Sequence, residues 1–381
     1  MPRRFIFLEP SKRDTQHITL IEGYLQALAD QNIGVSLVYR SHPSSCAALS
    51  PDLRGRLVHE PIAVIDADSR RFVAKGLLEA WQVLSSMARL RRADMMLVSC
   101  VTSPALLIIE LLNRLIGSSQ TVVVLHGELE GLFEASGSIR SYGFWLRRWA
   151  SVRTRSSRLG LAVIAPFIRD ALVARLGGRI DPARLFLLPF PLAVPSRAAN
   201  AAAGSAVFIG YRTRLKGFDV FTRIATAVRS LRFEAVGNGI VETVPGGGIR
   251  QLDTPQAFGA EVARASVAVF PYSGGYQASM SAAAIDAVSA GTLVLATRLG
   301  CFTDLQKALG SDAVAIFDSE AEAISVLSAR NFAKAAEAGR VARVRALAAS
   351  PYGPAAVRSS FHALIKAIGG REGAVTMAQA R

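Results

Sequence analysis

Three cations and two glycines follow a short apolar run in the second half of the chain. The segment GYRTRLKGFD (210–219) begins with Gly210 and contains Arg212, Arg214 and Lys216. If the apolar run is a strand of a parallel sheet, this loop lies at the carboxyl end of that strand, where cations suit a pyrophosphate. The pattern predicts a diphosphate site, and a basic surface turn is the alternative.

A single carboxylate, Asp286, stands among small residues in ASMSAAAIDAVSAG (278–291). Ser279 is a good N-cap and Gly291 suits a C-terminal stop, which predicts a helix over 280–290. Ser279 and Asp286 would then share one face, two turns apart. The helix start offers free N–H groups to a phosphate, and the carboxylate could accept hydrogen bonds from sugar hydroxyls. The alternative is a solvated acid on an ordinary amphipathic helix.

Two loops of the first half also carry residues that suit chemistry. His126 ends the apolar run TVVVLH (121–126), and Glu128 is the nearer of two acids that follow it. The loop LEPSKRDTQHI (8–18) contributes Glu9 and His17 as candidate contacts for an acceptor. A structural histidine and an ordinary surface loop are the alternatives.

These residues need a scaffold, and short apolar runs alternate with helical patterns along the whole chain. The predicted strands include FIFL (5–8), GVSLVYR (34–40), DMMLVSC (94–100), LAVIA (161–165), AVFIG (206–210), FEAVG (233–237), SVAVFPY (266–272), TLVLAT (292–297) and AVAIF (313–317). Continuous apolar strands separated by helices indicate parallel sheets that are covered on both sides. The predicted class is α/β, with two Rossmann-like doubly wound domains that face each other across a cleft.

The 381 residues favour two domains, and a small, polar segment at 193–205 reads as the linker. We expect an N-terminal acceptor-binding domain over 1–195 and a C-terminal donor-binding domain over 204–350. A C-terminal helix over 351–369 would pack back on the first domain, and 370–381 would be a flexible tail.

The second half resembles the donor-binding domain of GT-B glycosyltransferases, in particular the large group 1 family, family four, of bacterial sugar transferases. GYRTRLKG has the length of that family's G-R-x-x-x-x-K-G motif, with Lys216 in place. Tyr211 stands in the arginine column, so Arg212 or Arg214 must substitute. AVSAGTLVLAT (287–297) matches the family's A-x-x-x-G-x-P-V-V-A-T segment.

The resemblance implies roles for single residues. Asp286 falls in the column of a glutamate that binds ribose hydroxyls, whereas Ala278 falls in the column of a second acid, which is therefore missing. Ser279, Met280 and Ser281 would present backbone amides to the phosphate. Gly210, Gly237 and Tyr272 complete the predicted donor site, His126 would help to position the transferred sugar, and Glu128 is a candidate base.

The implied activity is that of a hexosyltransferase with a nucleotide-diphosphate sugar as donor. The acceptor would be a saccharide such as a lipid-linked one, in bacterial polysaccharide, exopolysaccharide or other glycan biosynthesis. The family also implies retention of configuration and no metal or other cofactor. Two alternatives stay open: a non-catalytic GT-B-like protein that binds a nucleotide sugar or glycan, which the missing acid permits, and a GT-B-fold nucleotide-sugar epimerase.

The net charge of +15 suggests an anionic partner. The excess of basic residues is uneven along the chain and is most pronounced in one segment. Residues 137–160 hold six arginines and no acid, and Tyr142, Trp145, Leu146 and Trp149 form one helical stripe. Aromatic rings flanked by arginines suit an anionic membrane surface, to which SMARLRRAD (86–94) could add. The alternative is a helix that packs its stripe on the core. We expect no nucleic-acid partner, because no signature of a nucleic-acid-binding module is present.

Targeting signals and cysteine spacing complete the expectations. The N-terminus has too short an apolar run for a signal peptide, and Glu110 and Arg114 interrupt the longest apolar stretch (105–116). Three scattered cysteines have no metal or disulfide spacing, which fits a reducing compartment. We therefore expect a cytoplasmic protein at the inner face of the cell membrane.

Overall fold

The structure is a computed structural model of the chain. It describes residues 4–14, 17–31, 35–65, 71–91, 94–126, 128–133, 139, 141–192, 204–210, 214–237, 249–250, 261–329 and 332–369. The chain divides into two compact units. Unit 1 comprises Met1–Pro191 and Ala355–Arg381, and unit 2 comprises Leu192–Pro354.

Unit 1 is built on a parallel seven-stranded sheet with the order β3-β2-β1-β4-β5-β6-β7. The strands are β1 (Arg4–Leu8), β2 (Ser36–Ser41), β3 (Val58–Pro61), β4 (Asp94–Val98), β5 (Thr121–Leu125), β6 (Gly160–Val163) and β7 (Leu185–Leu187). The central strands are buried along their length, which is why they read as continuous apolar runs in the sequence.

Helices connect the strands of unit 1. They are α1 (Ile18–Ala29), α2 (Pro43–Ala47), α3 (Pro51–Gly55), α4 (Phe72–Ala88), α5 (Ser103–Ile116), α6 (Tyr142–Val152) and α7 (Pro166–Leu176), with 3-10 turns at Glu128–Leu132, Gly177–Arg179 and Pro182–Arg184. In the part of the chain that the structure describes, no helix is both long and apolar enough to cross a bilayer.

Unit 2 repeats the plan with a parallel sheet in the order β10-β9-β8-β11-β12-β13. The strands are β8 (Ser205–Ile209), β9 (Arg232–Val236), β10 (Ile249–Arg250), β11 (Val267–Phe270), β12 (Leu293–Thr297) and β13 (Val314–Phe317). A cluster of phenylalanine rings anchors α8 (Phe218–Ala227) to this sheet, with Phe208 lying 5.1 Å from Phe218 and 5.3 Å from Phe221.

The remaining helices of unit 2 follow its later strands. They are α9 (Ala282–Ser289), α10 (Gly300–Leu309), α11 (Glu320–Ser328), α12 (Phe332–Ala338) and α13 (Arg340–Ala349), with a 3-10 turn at Arg214–Lys216. The last helix, α14 (Pro354–Gly369), packs on α1: its Phe361 ring lies 5.2 Å from the Tyr24 ring, and Gln31 donates a hydrogen bond to the Arg358 carbonyl.

In each sheet the order of the strands reverses at one place, and the position of that reversal indicates where a ligand can bind. Both sheets have the doubly wound order 3-2-1-4-5-6, to which unit 1 adds a seventh strand, so the strand order reverses between β1 and β4 in unit 1 and between β8 and β11 in unit 2. In such sheets the ligand crevice lies beyond the carboxyl ends of the strands at the reversal. The predicted class, α/β with two Rossmann-like doubly wound domains, is confirmed.

The predicted aromatic stripe of α6 is only partly on the surface. Leu146 and Trp149 are buried, and Arg153 beyond them forms a buried ion pair with Glu110 of α5 at 2.5 Å. The packing alternative is therefore right for these three residues of the 137–160 segment, and the prediction that they meet a membrane is wrong. The buried Glu110 carboxylate would be destabilising without a partner, so we expect Arg153 to remain buried as its counter-ion.

Candidate functional site

Glu9 occupies the reversal point of unit 1, directly after β1. Ser99, directly after β4, donates its hydroxyl to Glu9 Oε2 at 2.6 Å. The backbone N–H groups of Ser11 and Lys12 donate to Glu9 Oε1, each at 2.9 Å. Burial raises the pKa of Glu9 to about 7, although these three hydrogen bonds act in the opposite direction. Glu9 was predicted as an acceptor contact, but its fully buried carboxylate instead ties the 9–12 loop to β4.

A second buried acid of this site escaped the sequence analysis. Glu79 of α4 accepts hydrogen bonds from the backbone N–H and the hydroxyl of Thr102, at 2.6 and 2.7 Å. Lys75 lies one turn earlier, 3.8 Å from Glu79, and donates to the Ser11 carbonyl. The sequence contained one indication of this pair: Lys75 and Glu79 are opposite charges four residues apart within a predominantly apolar helical segment.

The structure brings the two predicted histidines together. The rings of His17 and His126 lie 4.8 Å apart, edge to face. His126 Nε2 lies 3.1 Å from the Ser99 carbonyl oxygen, which only an N–H can satisfy, so the other ring nitrogen of His126 is left as an acceptor. Burial lowers the pKa of His126 to about 4 and that of His17 well below its usual value. Both imidazoles are therefore neutral near pH 7.

Cys100 lies beside His17 and His126, and all three side chains are of types that bind metal ions. Its sulfur and the nitrogens of His17 and His126 lie within 4.8 Å of one another. Tetrahedral zinc with bonds of about 2.0–2.3 Å keeps its ligand atoms roughly 3.3–3.8 Å apart, so these side chains would have to move together to bind it. The expectation that no metal is needed stays a prediction. Glu128 begins the 3-10 turn Glu128–Leu132, and its side chain lies outside the described residues.

In unit 2, the Lys216 side chain lies against Gly210, directly after β8, where the glycine has no Cβ. A Cβ at Gly210 would lie 2.6 Å from Lys216 Nζ, and Gly210 has a φ of +129°. A Cβ at Gly237, after β9, would lie 2.1 Å from the Gly210 carbonyl oxygen. Both glycines therefore allow the ends of adjacent strands and the ammonium group to approach closely. Burial lowers the pKa of Lys216.

The turn that carries Lys216 is bound to the loop after β11, across the reversal point. Ser273 donates its backbone N–H to the Leu215 carbonyl and its hydroxyl to the Arg214 carbonyl, both at 3.0 Å. Lys216 Nζ lies 5.6 Å from the centre of the Tyr272 ring, within cation–π range. Arg214 is exposed at the same turn, and the predicted Arg212 lies outside the described residues.

Tyr272 is buried and contacts the residue that caps α9. Its hydroxyl lies 3.2 Å from Ser281 Oγ, and Ser281 is the N-cap of α9, accepting a hydrogen bond from the Ala284 N–H at 3.4 Å. The predicted helix start was therefore wrong: α9 begins at Ala282, and Ser279 lies before the helix, mostly buried. Ser279 and Asp286 do not share a helical face. Gly291, with a φ of +72°, ends the helix as predicted.

Asp286 lies in the second turn of α9 and is half-buried. Burial raises the pKa of Asp286 to about 6. Among the described residues, no side chain donates a hydrogen bond to its carboxylate. Ala278, in the column of the missing acid, is buried, and Met280 is half-buried.

The chain matches no family model and no curated protein, but several solved structures share its fold. Sucrose-phosphate synthase from Thermosynechococcus elongatus aligns with a TM-score of 0.64 at 15% identity, over 96% of this chain and 98% of that one. Anabaena HepE, solved in complex with UDP-glucose, aligns with a TM-score of 0.62 at 11% identity, over 95% and 99%. TarM from S. aureus, solved with UDP among its ligands, aligns with a TM-score of 0.59 at 8% identity, over 96% and 100%. At these identities the similarity establishes the fold, which is the predicted GT-B type.

Proposed function

We propose that this chain is a glycosyltransferase that takes a sugar from a nucleotide-diphosphate sugar held by unit 2. The observation that carries the proposal is the arrangement of Gly210, Lys216, Tyr272 and Ser281 at the sheet reversal of that unit. It presents an ammonium group and the start of a helix at the place where doubly wound sheets bind phosphates. HepE and TarM, which share the fold, were solved with UDP-glucose and with UDP, which supports a nucleotide donor.

Lys216 and Arg214 would stabilise the diphosphate as it leaves the transferred sugar. Burial removes part of the hydration of the Lys216 ammonium group, and a bound diphosphate would stabilise its charged form through charge-assisted hydrogen bonds. Asp286, with no hydrogen-bond donor among the described side chains, would accept hydrogen bonds from the ribose hydroxyls. Ser279, Met280 and Ser281 would offer backbone N–H groups at the start of α9.

Unit 1 would bind the acceptor. His126, neutral and anchored to the Ser99 carbonyl, would orient the transferred sugar by hydrogen bonding rather than by charge. Glu9 would act as a positioning residue, because it fixes the 9–12 loop that leads towards His17. We further propose that the transfer retains configuration without a metal, as in group 1 sugar transferases, and serves bacterial polysaccharide or exopolysaccharide assembly at the inner membrane face.

The test is transfer of label from a panel of nucleotide-diphosphate sugars to a membrane extract that supplies lipid-linked saccharides. We expect one donor to be consumed, with release of its nucleoside diphosphate and labelling of the lipid fraction. Lys216→Ala and Asp286→Ala should each lower turnover by at least tenfold. Lys307→Ala and Asp312→Ala, at exposed positions of the same unit, should leave it unchanged.

Three outcomes would contradict the proposal in different ways. If Lys216→Ala and Asp286→Ala turn over normally, the site assignment fails. Tight nucleotide binding without turnover of any donor would favour a non-catalytic binding protein. Conversion of the free donor into its epimer, with no acceptor present, would favour an epimerase.

A further inference from the structure

Helix α4 of unit 1 carries a row of apolar side chains on its outer side. Val73, Leu77 and Trp81 recur every four residues and therefore lie along one face. All three are exposed, Leu77 to 57% and Trp81 to 68%. The opposite side of the helix is buried, so this row is additional to the side that packs on the sheet.

The neighbouring helix α5 extends the row into a surface. Leu111, Leu112, Leu115 and Ile116 are all exposed, and Leu115 reaches 84%. The two helices are in close contact, because a Cβ at Gly76 of α4 would lie 2.8 Å from the Pro104 side chain of α5.

The start of α6 continues the same layer. The Tyr142 ring lies 5.1 Å from the Phe72 ring of α4, and both Tyr142 and Ile139 are exposed. Trp145 donates its indole N–H to the Ile139 carbonyl at 2.7 Å, which fixes this end of the helix. We call the exposed apolar residues of α4, α5, the start of α6 and the segment just before it the α4–α6 surface. They are Val73, Leu77, Trp81, Leu111, Leu112, Leu115, Ile116, Ile139 and Tyr142.

The exposed charges of the three helices and of the loops that flank α4 and α5 have one sign, while Glu130, in the 3-10 turn that packs on α6, is half-buried. In the described residues of 71–126 and 141–163, every acid is buried: Glu79, Asp94 and Glu110. The exposed charged residues of the same ranges are all arginines, namely Arg71, Arg89, Arg91, Arg114, Arg148, Arg155 and Arg158. Monomeric soluble proteins rarely expose a contiguous apolar surface of this kind unless it binds something.

We propose that the α4–α6 surface docks on an anionic lipid bilayer. Apolar side chains would enter the boundary between headgroups and acyl chains while the arginines meet lipid phosphates, as amphipathic interfacial helices do. A second copy of the chain is a poorer occupant, because a two-fold contact would oppose arginine with arginine and no exposed acid. Nucleic acid is also poorer, because leucine and isoleucine side chains offer bases no stacking surface.

The proposal deepens the proposed function, since a lipid-linked acceptor gives membrane docking its purpose. It also relocates the predicted contact. Leu146, Trp149 and Arg153 of the 137–160 segment lie inside unit 1, whereas the exposed apolar residues belong mainly to α4 and α5. The stretch 105–116 of α5 is the longest apolar run of the sequence, but it was considered there only as a membrane span.

The experiment measures vesicle binding by the full chain, with no donor present. Vesicles are either pure phosphatidylcholine or phosphatidylcholine with about one third phosphatidylglycerol. We expect co-sedimentation with the anionic vesicles only, weakened by added salt. Brominated lipids should quench Trp81 fluorescence, and Trp81→Phe should lower the quenching. Half-buried Trp145 beside Ile139 accounts for the remainder, whereas Trp149 is buried.

Matched variants identify the surface. Combined Leu77→Ser, Trp81→Ser and Leu115→Ser should lower vesicle binding at least tenfold. Combined Val173→Ser and Val341→Ser, at exposed apolar positions outside the surface, should not. Combined Arg89→Ser, Arg91→Ser and Arg148→Ser should lower binding and reduce its dependence on salt, whereas Arg345→Ser should do neither. Circular dichroism and denaturant unfolding of each variant, compared with the wild type, report that unit 1 is folded.

Equal binding to both kinds of vesicle, or full binding by the Leu77, Trp81 and Leu115 variant, would overturn the proposal. A lipid-free dimer that the same variant abolishes, with no vesicle binding by the wild type, would assign the surface to a second copy instead. If vesicles bind but no donor is consumed, the proposed function fails and the docking surface stands. If a donor is consumed without vesicle binding, the reverse holds.

Discussion

At the residue scale, the protonation of Asp286 bears most directly on the donor binding that we propose for unit 2. Burial raises its pKa to about 6, so the carboxylate is ionised above that pH and increasingly protonated below it. A protonated carboxyl group is the poorer acceptor for two ribose hydroxyls. The site is therefore complete only above about pH 6.

We predict that the dissociation constant of the donor rises as the pH falls through about 6. The ligand should be an intact nucleotide-diphosphate sugar, because a free nucleoside diphosphate has its own phosphate pKa near 6. Asp286→Asn should bind more weakly at pH 8 and lose the pH dependence, while Asp312→Asn should behave like the wild type. An unchanged pH dependence in Asp286→Asn would show that another group is responsible.

Glu9 gives a prediction about stability. Its pKa rises from 4.5 to about 7 on folding, so the folded chain binds the extra proton between these pH values. The free energy of unfolding should therefore fall as the pH rises from about 4.5 to 7 and should level off above that range. The pH-dependent part is on the order of 3 kcal/mol.

The measurement is denaturant unfolding of wild type and Glu9→Gln at pH 5 and pH 8. The amide can keep the hydrogen bonds from Ser11 and Lys12 without carrying a charge. We expect the stability of Glu9→Gln relative to wild type to be greater at pH 8 than at pH 5. Asp170→Asn, at an exposed acid of unit 1, should show no such difference. A constant difference at both pH values would contradict the assigned pKa.

At the scale of elements, buried guanidinium groups join α13 to the segment before β11 and to the end of α9. Arg340 donates to the carbonyls of Ala263, Ala265 and Ala290, at 2.8, 2.6 and 3.1 Å. Arg343 donates to the carbonyl of Gly291, directly after α9, at 2.7 Å. Because α9 carries Asp286, these contacts connect α13 to the proposed donor site.

We predict that Arg340→Met destabilises unit 2 by about 2–4 kcal/mol, because it leaves several buried carbonyl oxygens without a donor. Denaturant unfolding measures this loss, with exposed Arg345→Met on the same helix as the control. If Arg340→Met unfolds like the control, the guanidinium contacts do not stabilise the helix.

The start of α9 shows why element boundaries were harder to predict than elements. Ser279 and Ser281 are equally good N-caps by residue type. The choice between them depends on Tyr272, whose hydroxyl lies against Ser281, and that contact spans nine residues of loop. Gly291, which needs a positive φ, was predictable because the requirement is local.

At the scale of the whole molecule, the two parallel sheets could be predicted because burial on both sides leaves a continuous apolar run in each strand. Their carboxyl ends carry His126, Gly210, Lys216 and Gly237, so the strand pattern also located most of the candidate site. Contacts between distant helices could not be predicted. The Glu110–Arg153 ion pair accompanies the burial of Leu146 and Trp149, two of the four residues of the predicted stripe on α6. The exposed apolar residues of α4 have the same sequence spacing as residues that pack on a core, so the sequence did not distinguish the two.

The central claim is that unit 2 binds the diphosphate of a nucleotide sugar at Lys216. Calorimetric titration of the chain with a panel of nucleoside diphosphates tests it most directly. We predict that one nucleotide binds with a stoichiometry of one, and that Lys216→Ala weakens it by roughly 10- to 100-fold, as expected for a charge-assisted contact. Lys307→Ala should bind like the wild type. Failure of every nucleotide to bind, or equal affinity in Lys216→Ala, would contradict the account.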